Sequence, residues 1–493
     1  MVGGGMAGMA TAARLRAGGL STVVLEAHWQ PGGCAGFYRR RGFSFDVGAT
    51  TLVDFSPAGV GGELLTAIGM TPPPMETLPG YVAWLPDRTV TLHRNQPAWH
   101  AERLRILGDS PAHRDFWRFL DHLSGVFWKA SRAGIRLPVR HPRDLSVTMR
   151  ALGAANLPLA RHMFTTLGDA LRRHGLRDDV PLVALLSMLV EDTVHSTVDE
   201  APLINAALGT TIRGSGLFRA VGGMRGFWRA FSDHYRSIGG VLALNTRVAA
   251  IRGGSGDFRL STSRGLVRAG QVVSAVPAAV TAAIGPPSVS ARLAPYLARD
   301  ADRLGGALVV FLGVQEAEVA GQDFTHHQLL QHYDRPLGDG NNMFVSVSSS
   351  DDLASAPAGH RAVMISTHCE LAGWVDLAPE DYARRKREVS DRLIGYARRV
   401  FPELGRRAVL REVATPATYE RFAGRPGGAV GGARLRLSNA NSRAVPHDLG
   451  VPGFRVVGDS TWPGLGTVAC AIGSRIVADD LARSAARVRR RTA

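Results

Sequence analysis

At 493 residues, with 45% hydrophobic and 20% charged side chains, the chain is too long for one simple core and too apolar for extended disorder. Its net charge is +16 with Lys129 and Lys386 the only lysines; this arginine excess suits an anionic membrane surface or plain solubility. Nucleic-acid binding is not expected, since the arginines are scattered and no nucleic-acid module is present. Cys34, Cys369 and Cys470 lie far apart without a C-x-x-C, which argues against a disulfide framework or structural zinc and fits a reducing cytoplasm.

The first predicted element is a dinucleotide turn. Residues 3–8 read GGGMAG, a helical stretch ATAARLRAGG follows, and the strand STVVLE ends in the acid Glu26. Gly3 permits a tight turn, Gly5 lets a pyrophosphate approach bare backbone, and Gly8 lets the helix sit against the sheet, with Met6 and Ala7 completing the loop. Glu26, followed by Ala27, is placed to accept both hydroxyls of an adenosine ribose. The start lacks the basic region of a signal peptide. The longest apolar run, PLVALLSMLV at 181–190, is too short to span a bilayer.

Beyond a glycine-rich crossing, QPGGCAGFYRRRGFSFDVGATTL, the grammar changes. Residues 76–214 are entered through the proline-rich TPPPMETLPG at 71–80 and continue as arginine-studded amphipathic helices. In one of them Phe116, Phe119, Leu120, Leu123, Phe127 and Trp128 recur at helical spacing and form a core stripe. Residues 216–277 predict a turn and helix, then strands in VLALNTRVAAIRG, FRLSTSRGLVRAG and QVVSAVP. Residues 291–444 are mixed, with strands in ALVVFLGV, NMFVSVSS and RAVMISTHCE and one charged helix. The last segment is again strand, glycine-rich loop and helix. This alternation predicts a nucleotide-binding domain in three pieces, 1–75, 215–290 and 445–493, and a second domain from 76–214 and 291–444. No internal repeat is evident.

GGGMAG, VVLEA, QPGGCAGFYRRRGFSFDVGAT and VVGDSTWPGLGTVACAIGSRIVADDL together resemble the carotenoid desaturase and isomerase family of flavoproteins, within the larger group that includes amine oxidases and protoporphyrinogen oxidase. GGCAGF with FDVGAT, and VVGDSTWPGLGT, are most similar to the branch of 3,4-desaturases, carotenoid isomerases and retinol saturases. TPATYERFAGRPGGAVGG at 415–432 also matches a family segment, whereas 76–214 matches loosely. The resemblance implies FAD. Gly32 and Gly33 would turn backbone amides toward the pyrophosphate and ribityl chain, and Gly48, Ala49 and Thr50 would border the isoalloxazine. The Val248 backbone would address adenine, and the Gly458–Asp459 pair would bind a ribityl hydroxyl. Thr467, Val468 and Ala469 would open a terminal helix facing the pyrimidine edge. A nicotinamide enzyme has no use for this carboxy-terminal Gly-Asp. Only Met1 and Val2 precede Gly3, where the family has a full strand. The resemblance therefore implies a central strand cut short, and with it either a start further upstream or a weaker hold on FAD.

Other schemes find no support: there is no Walker lysine, no G-x-S-x-G and no H-E-x-x-H. His326, His327 and His332 are expected in a cavity wall or on the surface rather than on a metal, Cys34 in packing, and the tail RVRRRTA as a solvated end or a lipid contact. The expected fold is α/β: a discontinuous Rossmann-like FAD domain of the glutathione-reductase type with a mixed α+β substrate domain that builds a long apolar tunnel. The expected reaction is carotenoid desaturation, a hydride passing from an allylic carbon of an apolar polyene or isoprenoid to the flavin. Isomerisation on reduced flavin and saturation are alternatives within the resemblance. An amine-oxidase-type enzyme and a non-catalytic lipid-binding protein, as in the Rab-escort group, are alternatives outside it. No side chain is singled out as catalytic and no metal is expected. The expected location is cytoplasmic, with the inner membrane face as a peripheral partner surface. The sequence sets no oligomeric state.

Overall fold

The computed structural model describes residues 1–492, with side chains except those of Arg213 and 487–492. The expectation for the tail 487–493 therefore lies outside the described side chains.

The nucleotide-binding layer is a parallel arrangement assembled from distant parts of the chain. The strand Val23–Leu25 pairs with Val241–Ala243, and Val272–Ser274 with Phe454–Val456. Met1 and Val2 lie between the two pairs. Val2 bridges Leu25 on one side and Ser274 on the other, so the centre of the sheet is a two-residue bridge in place of a full strand. Alternation sorts the faces. Val272, Val456 and Leu25 pack on Phe258 and Leu260 of an antiparallel meander, Val248–Gly254, Asp257–Thr262 and Gly265–Ala269. Val273 and Val457 pack instead on Ala7, Leu15, Val477 and Leu481 of the helices Met6–Ala17 and Thr467–Thr492. Helices, parallel strands and meander thus form three layers.

The second sheet has seven strands in the order Leu410–Ala414, Gly306–Gln315, His360–Cys369, Asn342–Val347, His326–Leu330, Gly80–Trp84 and Thr89–His93. Its long second strand, Gly306–Gln315, is apolar on both faces because both are covered. Leu308, Val310 and Leu312 meet Leu393, Ile394 and Phe401 of the helical side, while Ala307, Val309 and Phe311 meet Phe43, Phe45 and Tyr419. Four of these strands, Leu410–Ala414 among them, are absent from the sequence reading. Gly80–Trp84 and Thr89–His93 sit behind a proline-rich segment, and His326–Leu330 carries polar residues inward. His326 and His327, expected in a cavity wall or on the surface, are fully buried in this sheet. His327 accepts from Trp84 Nε1 at 3.2 Å and donates from Nε2 to the Phe324 carbonyl at 2.9 Å, so a hydrogen-bonded core role replaces the exposed one.

The stripe on Pro111–Arg132 forms as expected: Phe116, Leu120 and Leu123 are wholly buried. A buried ion pair ties the layers together. Arg219, in the strand Leu217–Ala220, donates from Nη1 to Asp46 Oδ2 at 2.6 Å, and the Met224 amide donates to Asp46 Oδ1 at 2.8 Å. Among the described residues no helix is long and apolar enough to cross a membrane.

Candidate functional site

One cavity of about 420 Å³ runs between the two sheets, a size ordinary for a small-molecule site. Both ends of the chain reach it. Gly3, Gly5, Met6, Ala7, Glu26, Gly32, Gly33, Gly48, Ala49, Thr50, Gly458, Asp459, Thr467 and Val468 line its wall. Gly8, Ala27, Val248 and Ala469 do not. Gly8 instead closes the turn: a Cβ there would lie 2.1 Å from the Gly3 carbonyl oxygen. Ala27 is exposed, Val248 is buried under the meander, and Ala469 faces a smaller apolar pocket of about 110 Å³.

The glycine turn has the form an anion needs. Gly3 has φ +97°, a region closed to most side chains. At Gly5 a Cβ would meet no atom nearer than 3.9 Å, so that position opens onto the cavity. The helix Met6–Ala17 starts there with no side-chain cap on its first amides, which leaves them for a ligand. The second glycine loop docks on the first, the Gly32 amide donating to the Gly4 carbonyl at 2.9 Å. Glu26 is fixed by two backbone donors, Gly4 to Oε2 at 2.5 Å and His28 to Oε1 at 2.8 Å. Each oxygen keeps a lone pair for a further donor.

Several residues of this wall went unnoticed in the sequence. Arg425 is buried, is ion-paired with Asp459 and donates from Nη1 to the Gly431 carbonyl at 2.7 Å. Burial works against its charge, and the adjacent Asp459 more than offsets that, so its pKa is raised. The available signal was an arginine set among glycines, of which Gly424, Gly427, Gly428 and Gly431 all adopt positive φ. Glu191, His195, Asn342 and His368 also line the cavity. His368 Nδ1 lies 2.5 Å from Glu191 Oε1, and Asn342 donates to Glu191 Oε2 at 3.1 Å. Burial raises the Glu191 carboxyl, but the charge and hydrogen bond of His368 outweigh it and leave the carboxyl below its ordinary value. His368 moves the opposite way: burial opposes its charge and Glu191 restores it, a net rise. The two shifts share one cause, each charge favouring the other across the 2.5 Å contact. His195, 4.4 Å from His368 between ring centroids, is pushed down to about 3, first by burial and then by His368. It is neutral. The signal for this cluster was the acid pair Glu191–Asp192 closing an otherwise apolar run. Cys34, expected only to pack, is half-buried and lines the cavity. Among the described residues no group of three His, Cys, Asp or Glu is placed to hold a metal ion.

A family model for the NAD(P)-binding Rossmann-like domain matches residues 1–66. Prolycopene isomerase 1, a chloroplastic protein of an Oncidium hybrid cultivar, is 25% identical over 96% of this chain and 81% of its own length. Phytoene desaturase (lycopene-forming) of Pantoea ananas is 26% identical over 50% of this chain and 49% of its own. Over nearly its whole length the chain is thus similar to the carotenoid desaturase and isomerase family of FAD-dependent oxidoreductases. The fold reaches wider than the family: a solved double mutant of putrescine oxidase superposes with TM-score 0.62 at 13% identity, covering 97% of each chain.

The cofactor of this family is FAD, and the residues present fit it. An open Gly5, uncapped helix amides and a fixed Glu26 suit a pyrophosphate and a ribose. Asp459 and the start of the helix Thr467–Thr492 stand further along the same cavity. Glu26→Ala should weaken FAD binding about 10- to 100-fold, the worth of charge-assisted hydrogen bonds to the ribose. Flavin release on dilution, followed by fluorescence, measures it. Retention equal to that of the unaltered chain would assign the ribose to another acceptor.

Proposed function

We propose that the chain oxidises carbon–carbon bonds of a long polyene, a carotenoid desaturation with FAD as the hydride acceptor. The observation that carries this reading is the apolar continuation of the flavin cavity. Ala307, Val309 and Phe344 face it from the seven-stranded sheet. The smaller pocket, walled by Phe127, Trp128, Leu208 and Ile472, shares Thr193, Ile212, Leu465 and Val468 with it. Such walls hold a polyene by burial and exclude water from the reacting carbon. Bound FAD supplies the two-electron chemistry; the protein supplies position. We assign the cofactor to the regions 1–75, 215–290 and 445–493 and the substrate to 76–214 and 291–444. Supporting this division, Gly80–Trp84 pairs with His326–Leu330, and Val272–Ser274 pairs with Phe454–Val456. The sites proposed for FAD are those named from the sequence, with Arg425 added as the partner of Asp459.

A second reading, isomerisation, is supported by the prolycopene isomerase that aligns over 96% of the chain. Incubation with a panel of linear carotenoids separates the two. Loss of two hydrogens marks desaturation, and unchanged mass with an altered spectrum marks isomerisation. No change in any polyene, with hydrogen peroxide released from amines, would overturn both.

The membrane surface is the proposed place of substrate exchange. Val139, Leu145, Met149 and Phe164 are 41%, 49%, 44% and 59% exposed, and Arg140, Arg143, Arg150 and Arg161 stand among them. Leu145 and Met149 share one face of the helix Pro142–Leu152. Apolar side chains flanked by arginine suit an anionic lipid interface. The protein should float with anionic vesicles at low salt, and Leu145→Ser with Met149→Ser and Phe164→Ser should leave it in the supernatant. Equal recovery of both forms would remove this surface from the account.

A further inference from the structure

The sheet wall of the cavity is not a hydrocarbon surface throughout. Strand parity puts Gln328, Asn342, Ser366 and His368 on the same face as Ala307 and Val309. The turn that ends the helix Val180–Val194 adds Glu191 and His195 opposite them. A bare polyene offers these groups nothing, and burying them beside one would be costly.

The arrangement inside this lobe is specific. Glu191 is satisfied by the protein, one oxygen on His368 Nδ1 at 2.5 Å and the other on Asn342 at 3.1 Å. His368 uses one nitrogen for Glu191, and among the described residues no protein group bonds the other. The His195 ring stands 4.4 Å away, and among the described residues its nitrogens likewise have no hydrogen-bond partner. It is held by a left-handed backbone, φ +53°, against Gly431, where an added Cβ would lie 2.8 Å from the His195 Cε1. Gly431 in turn accepts from Arg425, the partner of Asp459. The cluster is therefore coupled, contact by contact, to the proposed flavin-binding residues.

We propose that His368 and His195, with Glu191 as the positioning residue, read an oxygen atom at the end of the polyene, His368 Nε2 donating a hydrogen bond to it. This rests on the polyene reading above and narrows it to chains bearing a carbonyl or hydroxyl end. The charge that Glu191 stabilises on His368 makes it a strong donor. Neutral His195 has one donor and one acceptor nitrogen, which suits a hydroxyl as well as a carbonyl. A purely stabilising role is a poor account of the pair, because an ion pair buried for stability alone is seldom better than apolar packing.

The test uses the flavin-loaded protein, a linear all-trans polyene aldehyde and the polyene hydrocarbon of the same length. The aldehyde should bind at least about tenfold tighter, with its carbonyl stretch moved to lower frequency in infrared difference spectra. His368→Phe should abolish both the preference and the shift while the flavin spectrum is retained. Glu191→Gln should reduce the shift and leave a weaker preference. Equal binding of the two ligands with an unmoved carbonyl would overturn this inference and leave the polyene reading standing. An unchanged shift in His368→Phe would also overturn it. Binding of neither ligand would overturn the polyene reading, and this one with it.

Discussion

Arg219→Met should lower the stability of the chain by about 3–5 kcal/mol, the cost of leaving a buried charge without its partner. Asp46 and Arg219 are both buried, and Asp46 holds the strand Phe43–Asp46 against the start of the helix Gly223–Ser237 through the Met224 amide. Burial already raises the Asp46 carboxyl above its ordinary value even with Arg219 in place. A group whose pKa rises on folding costs stability above its unfolded value and none once protonated in both states. The deficit of Arg219→Met should therefore grow as pH rises through the carboxylate range and shrink toward acid. Urea unfolding at two pH values measures both predictions. Asp46→Leu with Arg219→Met should recover much of the loss, since no charge is then stranded. Arg118→Ala, which removes the exposed Arg118–Asp115 pair, should change stability by no more than about 0.5 kcal/mol. A response of the buried pair as small as that would show water reaching Asp46.

Gly5→Val should leave the fold intact and cut flavin content at least about tenfold, because valine occupies the space meant for the pyrophosphate. The backbone at Gly5 is extended, φ −73° and ψ −178°, a conformation in which valine is comfortable. Its Cβ would have no atom within 3.9 Å. Gly8→Val offers the contrast: its Cβ would lie 2.1 Å from the Gly3 oxygen, so that variant should fail to fold. Circular dichroism with flavin absorbance on the purified proteins distinguishes the two. A yellow, folded Gly5→Val would place the pyrophosphate elsewhere.

What could be read from the sequence follows from the range of the interactions involved. The turn at Gly3, Gly5 and Gly8 and the acid at Glu26 are local, set by backbone freedom within about one turn, and they stand where the spacing puts them. The stripe from Phe116 to Trp128 is equally local, because helical period alone sorts its faces. The strands Gly80–Trp84 and His326–Leu330 were missed for the opposite reason. They pair with each other across more than 240 residues, as the Trp84–His327 bond shows, and neither alternates cleanly. Arg425 with Asp459, and Glu191 with His368, are also products of topology: 34 residues separate the first pair, and a helix meets a strand in the second. No window of sequence brings those charges together. The polarity of His326 and His327 suggests water, whereas both are buried in the sheet, His327 bonded to Trp84 and the Phe324 carbonyl and His326 to Thr325.

The cavity takes its walls from Gly3 and from Val468, residues far apart in the chain. A ribosome extends a chain at about 5–20 residues per second, so the glycine turn is made long before the helix Thr467–Thr492 that packs on it emerges. Until then the nascent protein exposes half of a nucleotide groove and the apolar flank of Met6–Ala17, surfaces that a holdase chaperone would shelter. A chain cut short before the helix Thr467–Thr492 should therefore lack the wall at Thr467 and Val468 and be purified colourless.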